Sequence, residues 1–136
     1  STSMHNSDKA SLFKNSAISL HFRTGSSTVE AHYREQLTAI ATIADQLPTS
    51  VIEISGHADR NGDTHANLKL SESRAANVKS FITSLGFDNV AATIVAYGES
   101  MPLHSTQTME TDFFDRRVTV RLVENNQQLL TDSNED

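Results

Sequence analysis

The chain of 136 residues contains no cysteine. That absence removes disulfides, thiolate nucleophiles and cysteine-ligated zinc together, and is compatible with an oxidising or a reducing compartment. Basic residues are also few, 11 Lys and Arg against 17 Asp and Glu, for a net charge of −6. Only Arg116 and Arg117 are adjacent. Nucleic-acid binding rests on clustered cations that neutralise phosphates, so no nucleic-acid partner is expected. No run approaches the ~18 apolar residues of a membrane span. No signal peptide or internal repeat is visible, and the chain opens Ser1-Thr2-Ser3. An excised or processed product is expected, with any membrane attachment supplied by an upstream segment. Apolar residues at 37% and charged residues at 21% fit one globular domain with a single core.

Two periodicities organise what is present. Ala17 to Phe22 alternates apolar and polar, a strand signal. Ser27 and Glu30 have capping-box spacing. Val29, Tyr33, Leu37, Ile40, Ala44 and Leu47 then trace one face of a helix that Pro48 ends. Val51 to Ser55 reads as a β-branched strand. A second helix is predicted from Asn67 to Leu85, with Leu70, Ala75, Val78, Phe81, Ile82 and Leu85 as its apolar face and Gly86 as its terminator. Strands follow at 92–97 and 118–122, separated by a predicted loop over 102–112 in which Pro102 sets a bend. The order β-α-β-α-β-β predicts an α/β (α+β) two-layer sandwich: a mixed four-stranded sheet with two main helices on one face. Residues 1–16 read as an N-terminal lead-in, 17–123 as the domain, and 124–136 as a fraying tail whose Leu129-Leu130 could dock.

The stretch GHADRNGDTHANLKLSESRA, residues 56–75, serves no obvious core purpose. Asp59 lies just past a strand end, where sites collect in α/β sheets. Asn67, Leu70, Ser71 and Arg74 share a helix face, with Asn67 and Arg74 roughly 10 Å apart along the axis. One reading is an Asp59–Arg74 salt bridge that pins loop to helix, with Asn67 as N-cap. The other is an acid and a base that meet a ligand. Spacing alone leaves both open.

Competing chemistries fit less well. Asp59-Arg60-Asn61-Gly62-Asp63 has the look of a calcium loop, but Thr64 and Leu70 stand where the glycine and glutamate belong. His57 and His65 lack the helical spacing of zinc hydrolases. Ser55, His57 and Asp59 alternate along a strand without a G-x-S-x-G elbow, so no enzyme is expected. Arg116-Arg117 reads first as a solvated edge, although one of the pair could reach Asp59.

The motifs in order resemble the OmpA-like, peptidoglycan-associated domain family of outer-membrane proteins, the lipoprotein Pal and flagellar stator proteins. Its pattern is a strand ending in Phe, then I-x-G-H-T-D-x-x-G, N-x-x-L-S-x-x-R-A, a G-E-x-x-P-like segment and N-R-R-V. The matches here are Phe22, Ile54 to Asp59 with Gly62, Asn67 to Ala75, Tyr97 to Pro102 and Asp115 to Val118, covering about 17–123. The resemblance implies a periplasmic, non-catalytic domain that anchors an envelope protein to peptidoglycan without a cofactor. Its implied ligand is the diaminopimelate of the stem peptide, which ends in an ammonium and a carboxylate on one carbon. Asp59 would take the ammonium and Arg74 would fork onto the carboxylate, the geometrically selective kind of contact. Asn67 would add an amide, Leu70 a wall, Thr24 and Gly25 backbone groups, and Arg116 a border. Ala58 replaces the family threonine, and Asp115 replaces the asparagine, where it would hold Arg116 or Arg117 off the ligand. Those two departures motivate an alternative, a protein–protein module of the envelope that keeps the fold; a homodimer is compatible with either. Neither Asp59 nor Arg74 belongs to the expected apolar core, so truncating them is expected to spare folding.

Overall fold

The computed structural model describes residues 17–124, so the expected lead-in and most of the expected tail, Leu129-Leu130 included, lie outside the described residues. The alternating and β-branched segments form β1 (Ile18–His21), β2 (Ser50–Gly56), β3 (Ala92–Ala96) and β4 (Arg117–Glu124). The strand order is β1-β4-β2-β3. β4 runs antiparallel to both β1 and β2, while β2 and β3 are parallel. The sheet is therefore mixed, as expected. β4 is a central strand, which overturns the reading of Arg116-Arg117 as a solvated edge.

The helices are α1 (Arg34–Asp45), entered through a 3-10 turn at Ala31–Tyr33, and α2 (Thr64–Ser84). The capping box expected from Ser27 and Glu30 does not form. Glu30 instead accepts from Arg23 Nε at 3.3 Å, and Ser27 accepts from Asn77 on α2 at 2.7 Å through its carbonyl. These tertiary partners outcompete a local cap. α2 begins before Asn67, because Asp63 is the N-cap and accepts from the Ala66 N–H at 2.8 Å. A third helix, α3 (Met109–Asp115), occupies part of the segment expected to be loop. Thr108 and Thr111 cap each other across its start, with N···O distances of 3.1 and 2.7 Å. Its seven residues are too few to display a period.

The core lies between the sheet and the two long helices. Leu20, Ile52, Ile54, Val118, Val120 and Leu122 from the strands meet Leu37, Ile40 and Ala41 of α1 and Ala75, Val78 and Ile82 of α2. Each of the Leu, Ile and Val side chains contributes about 1.5–3 kcal/mol when fully buried. On α2 the buried stripe is Asn67, Ser71, Arg74, Ala75, Val78 and Ile82. The spacing is that of an ordinary amphipathic helix, but the first three positions are polar. Leu70, Phe81 and Leu85, expected on this face, are half-buried at its flank.

The polar half of α2 sits close to β2. A Cβ at Gly56 would run into the Ser71 carbonyl oxygen and approach Ala75 Cβ to 3.2 Å. The Ser71 hydroxyl, fully buried, accepts from the Gly98 N–H at 2.9 Å and ties the β3 exit to the same point. Gly56→Ala is therefore expected to lower the unfolding free energy by about 3 kcal/mol in urea denaturation, the upper end of ordinary overpacking costs. A loss under about 0.5 kcal/mol would contradict this close approach.

Candidate ligand-binding site

The strand end and the loop after it are fixed by backbone bonds. His57 donates its N–H to the Arg117 carbonyl at 2.9 Å, and Ala58 donates to the Gly98 carbonyl at 2.8 Å. The next residue, Asp59, turns the chain: its Oδ1 accepts from the Asn61 N–H at 3.0 Å, an Asx turn. Asn67 holds that turn from α2, its amide donating to the carbonyls of Asp59 (3.2 Å) and Asn61 (2.9 Å) and to Glu99 Oε1 (2.9 Å). Asn67 thus anchors the loop from within the helix and does not cap it.

Asp59 and Arg74 form no salt bridge. The free oxygen of Asp59, Oδ2, pairs with Arg116 NH1 at 3.2 Å. Arg116 is fixed in turn by a bond from its Nε to the Phe22 carbonyl at 2.9 Å. Arg74 is 0% exposed and donates from all three guanidinium nitrogens to main-chain carbonyls: Nε to Ser26 (2.8 Å), NH1 to His57 (3.0 Å) and NH2 to Arg23 (3.3 Å). Its guanidinium carbon stands 5.2 Å from the Phe22 ring centroid. Burial pulls its pKa down to about 10, and the nearby Asp59 carboxylate opposes the shift. Arg74 stands outside the apolar core, as expected, but it is fully buried, so the expectation that truncating it spares folding does not hold. The apolar pattern that defines a core in sequence cannot reveal a buried guanidinium.

Asp59, Arg74, Arg116 and the turn at Thr24-Gly25 converge on one end of the sheet, where Gly25 adopts φ +71°. Ala58 is buried, so its side chain faces the interior. Leu70 is half-buried and stands outside this hydrogen-bonded cluster. Asp115 does not restrain Arg116. It lies 3.7 Å from Arg117 NH1 and 4.0 Å from Arg60 NH2, and accepts from the Leu103 N–H at 2.9 Å.

Several supporting residues escape the sequence reading. Arg60 reaches across to the carbonyls of His104 (3.0 Å) and Ser105 (3.2 Å), and Asn61 donates to Asp112 at 2.9 Å. Together they lash the segment 104–112 to the Asp59 loop. The partners lie 44 to 51 residues apart, so no local signal marks them. His57 is buried and stacked on Tyr97 with ring centroids 5.2 Å apart. Burial, reinforced by the charge of Arg117, lowers its pKa to about 4. Its Nδ1 has no hydrogen-bond partner among the described residues.

The model of the OmpA family matches residues 21–116, a span that holds Asp59, Asn67, Arg74 and Arg116. The chain belongs to the OmpA family. It is 33% identical over 97 residues to outer membrane protein A of Bordetella avium, covering 71% of this chain and 50% of that protein. Against the probable lipoprotein YiaD of Escherichia coli it is 28% identical over 101 residues, 74% of this chain and 46% of the relative. The chain thus spans about half the length of these curated relatives. Its fold superposes on the crystal structure of the peptidoglycan-associated lipoprotein from Burkholderia pseudomallei with a TM-score of 0.73 at 25% identity, covering 77% of this chain and 89% of the other.

Two stability predictions follow from this family member's geometry. Arg74→Ala strips three carbonyls of charged donors and is expected to cost about 3–5 kcal/mol. Asp59→Asn removes the charge opposite Arg116 at a buried position but keeps an acceptor oxygen, and should cost about 1–3 kcal/mol; urea titrations of both variants measure the contrast. The second concerns acid. The unfolded chain binds a proton at His57 near pH 6.5 and the folded chain only near 4. Protonation therefore favours the unfolded state, and stability falls as pH drops through that window, by about 3 kcal/mol at 1.36 kcal/mol per unit. The lowered pKa of His21 acts with the same sign. His57→Gln should flatten the pH 4–6.5 slope of the denaturation midpoint.

Proposed function

We propose that this domain tethers a cell-envelope protein to peptidoglycan in the periplasm, without catalysis, by gripping the zwitterionic end of diaminopimelate. The observation that carries the reading is one carboxylate and two guanidinium groups gathered at a strand end, with Asp59 already 3.2 Å from Arg116. Membership of the OmpA family and the likeness to a peptidoglycan-associated lipoprotein support it.

Asp59 receives the ligand ammonium, sharing its carboxylate with Arg116 or displacing it. Arg116, at the rim with 14% of its side chain exposed, meets the ligand carboxylate first. Arg74 acts from behind. Three of its five N–H groups hold carbonyls, so one N–H on each terminal nitrogen is left as a fork. Arg74 is fully buried, so the ligand carboxylate meets that fork only after a local opening. Asn67 holds the Asp59 loop in register, Ala58 supplies a buried backbone anchor, and Leu70 flanks the helix on the outer side. The departures that motivate a protein–protein module are absorbed inside the fold, since Ala58 is buried and Asp115 engages Arg117 and Arg60. The wall-binding reading is therefore favoured.

Sedimentation with purified diaminopimelate-type sacculi tests it. Asp59→Asn and Arg116→Ala are expected to weaken binding at least tenfold while melting as folded proteins. If Asp59→Asn sediments as well as wild type, the assignment of the ammonium site is wrong. Arg74→Ala is informative only beside its measured stability, because the residue also holds the turn.

A further inference from the structure

Beside the Asp59–Arg116 pair lies a groove of about 470 Å³, bounded by the end of β1, the 3-10 turn and α3. Its volume falls within the ordinary range of small-molecule sites, about 300–1,000 Å³. Rings make its walls. His21 and Phe113 stack with centroids 4.9 Å apart and planes 13° apart. Tyr33 stands on another side, paired with His32 at 4.0 Å and anchored by its hydroxyl, which accepts from the His21 N–H at 3.0 Å. Arg23 and Glu30 also line it, 3.3 Å from each other. Arg116 completes the lining and reaches the Phe113 ring, its guanidinium carbon 5.8 Å from the centroid.

The charges of this groove are matched. Arg23 pairs with Glu30 inside it, and Arg116 pairs with Asp59, which stands just outside the lining. Burial and the two neighbouring arginines lower the His21 pKa, which keeps that ring neutral near pH 7. A net anion or cation would find no surplus of opposite charge, and a purely apolar ligand would leave the charged rim without hydration. The chemistry that fits is a neutral, polar molecule with an apolar face. A pyranose presents C–H groups to an aromatic ring on one face, while its hydroxyl and acetamido groups meet planar guanidinium and carboxylate groups at its edge.

We propose that this groove is a second subsite, for the N-acetylated amino sugar of the peptidoglycan glycan strand, lying beside the zwitterion site. The inference rests on the wall-binding reading above. Arg116 is the shared wall: it pairs with Asp59 on one side and lines the groove on the other. The stem peptide links diaminopimelate to the sugar, and three extended residues reach about 10 Å, so one molecule can bridge two subsites that share a wall. A two-point grip on peptide and glycan would distinguish intact wall from free stem peptide and raise the apparent affinity through effective concentration.

The test is a two-dimensional NMR titration of the full chain with the trisaccharide of N-acetylglucosamine, and separately with free diaminopimelate. The sugar is expected to shift His21, Tyr33 and Phe113 with a millimolar dissociation constant. Phe113→Ala and Glu30→Gln, both at exposed or half-exposed positions, should each weaken it at least fivefold while retaining the wild-type melting temperature within a few degrees. Groove signals that stay unmoved by the trisaccharide, or sugar affinity unchanged in both variants, overturn the subsite. Diaminopimelate is read at Asp59 and Arg116. Silence there sinks the wall-binding reading, whereas a response to diaminopimelate alone sinks only the sugar subsite.

Discussion

A guanidinium with no exposed surface organises this end of the molecule. Arg74 gathers the carbonyls of Arg23, Ser26 and His57, which belong to the β1–α1 connection and to the exit of β2. Removing a guanidinium from water costs several kcal/mol, and the depressed pKa records that cost. Three charge-assisted bonds and the Phe22 ring offset it. Without a donor of this reach, the Ser26 and His57 carbonyls would lose the partner that joins the two loops, and that of Arg23 would keep only its turn bond from the Ser26 N–H. Their positions relative to Asp59 would then be unspecified.

The same helix serves core and site through one unbroken stripe. Along α2, buried positions pass from Asn67, Ser71 and Arg74 to Ala75, Val78 and Ile82. The apolar half packs on the sheet, and the polar half binds main-chain groups of the loops above it. Gly56 makes this possible, because the Ser71 carbonyl occupies the space its side chain would need. Site geometry is therefore inherited from core packing. A shift of α2 along β2 would move Asn67 and Arg74 together.

A second layer of polar contacts ties the segment before β4 to the Asp59 loop. Arg60 holds His104 and Ser105, Asn61 holds Asp112, and Asp115 takes Leu103 while standing between Arg60 and Arg117. These bonds set α3 beside the site and bring Phe113 against His21. They also leave Arg116 free of Asp115, so that it alone of the adjacent arginine pair reaches Asp59.

The strands, both long helices, the mixed two-layer architecture and the residues that line the sheet end were legible in the sequence. Hydrophobic period and the terminator Gly86 are local properties, and local properties survive in a linear reading. The G-H-x-D and L-S-x-x-R-A blocks named Asp59, Asn67 and Arg74 as candidates, and the fold brings Asn67 onto the Asp59 carbonyl. What the chain order could not decide was pairing. Asp59 and Arg74 lie close in sequence and carry opposite charges, yet Asp59 pairs with Arg116, 57 residues away, while Arg74 turns inward to carbonyls. α3 was hidden by its brevity, and the Ser27–Glu30 cap was lost to Asn77 and Arg23. Charge and spacing name the candidates for contact. Which of them meet depends on where the sheet brings the ends of distant strands together, and only the tertiary structure settles that.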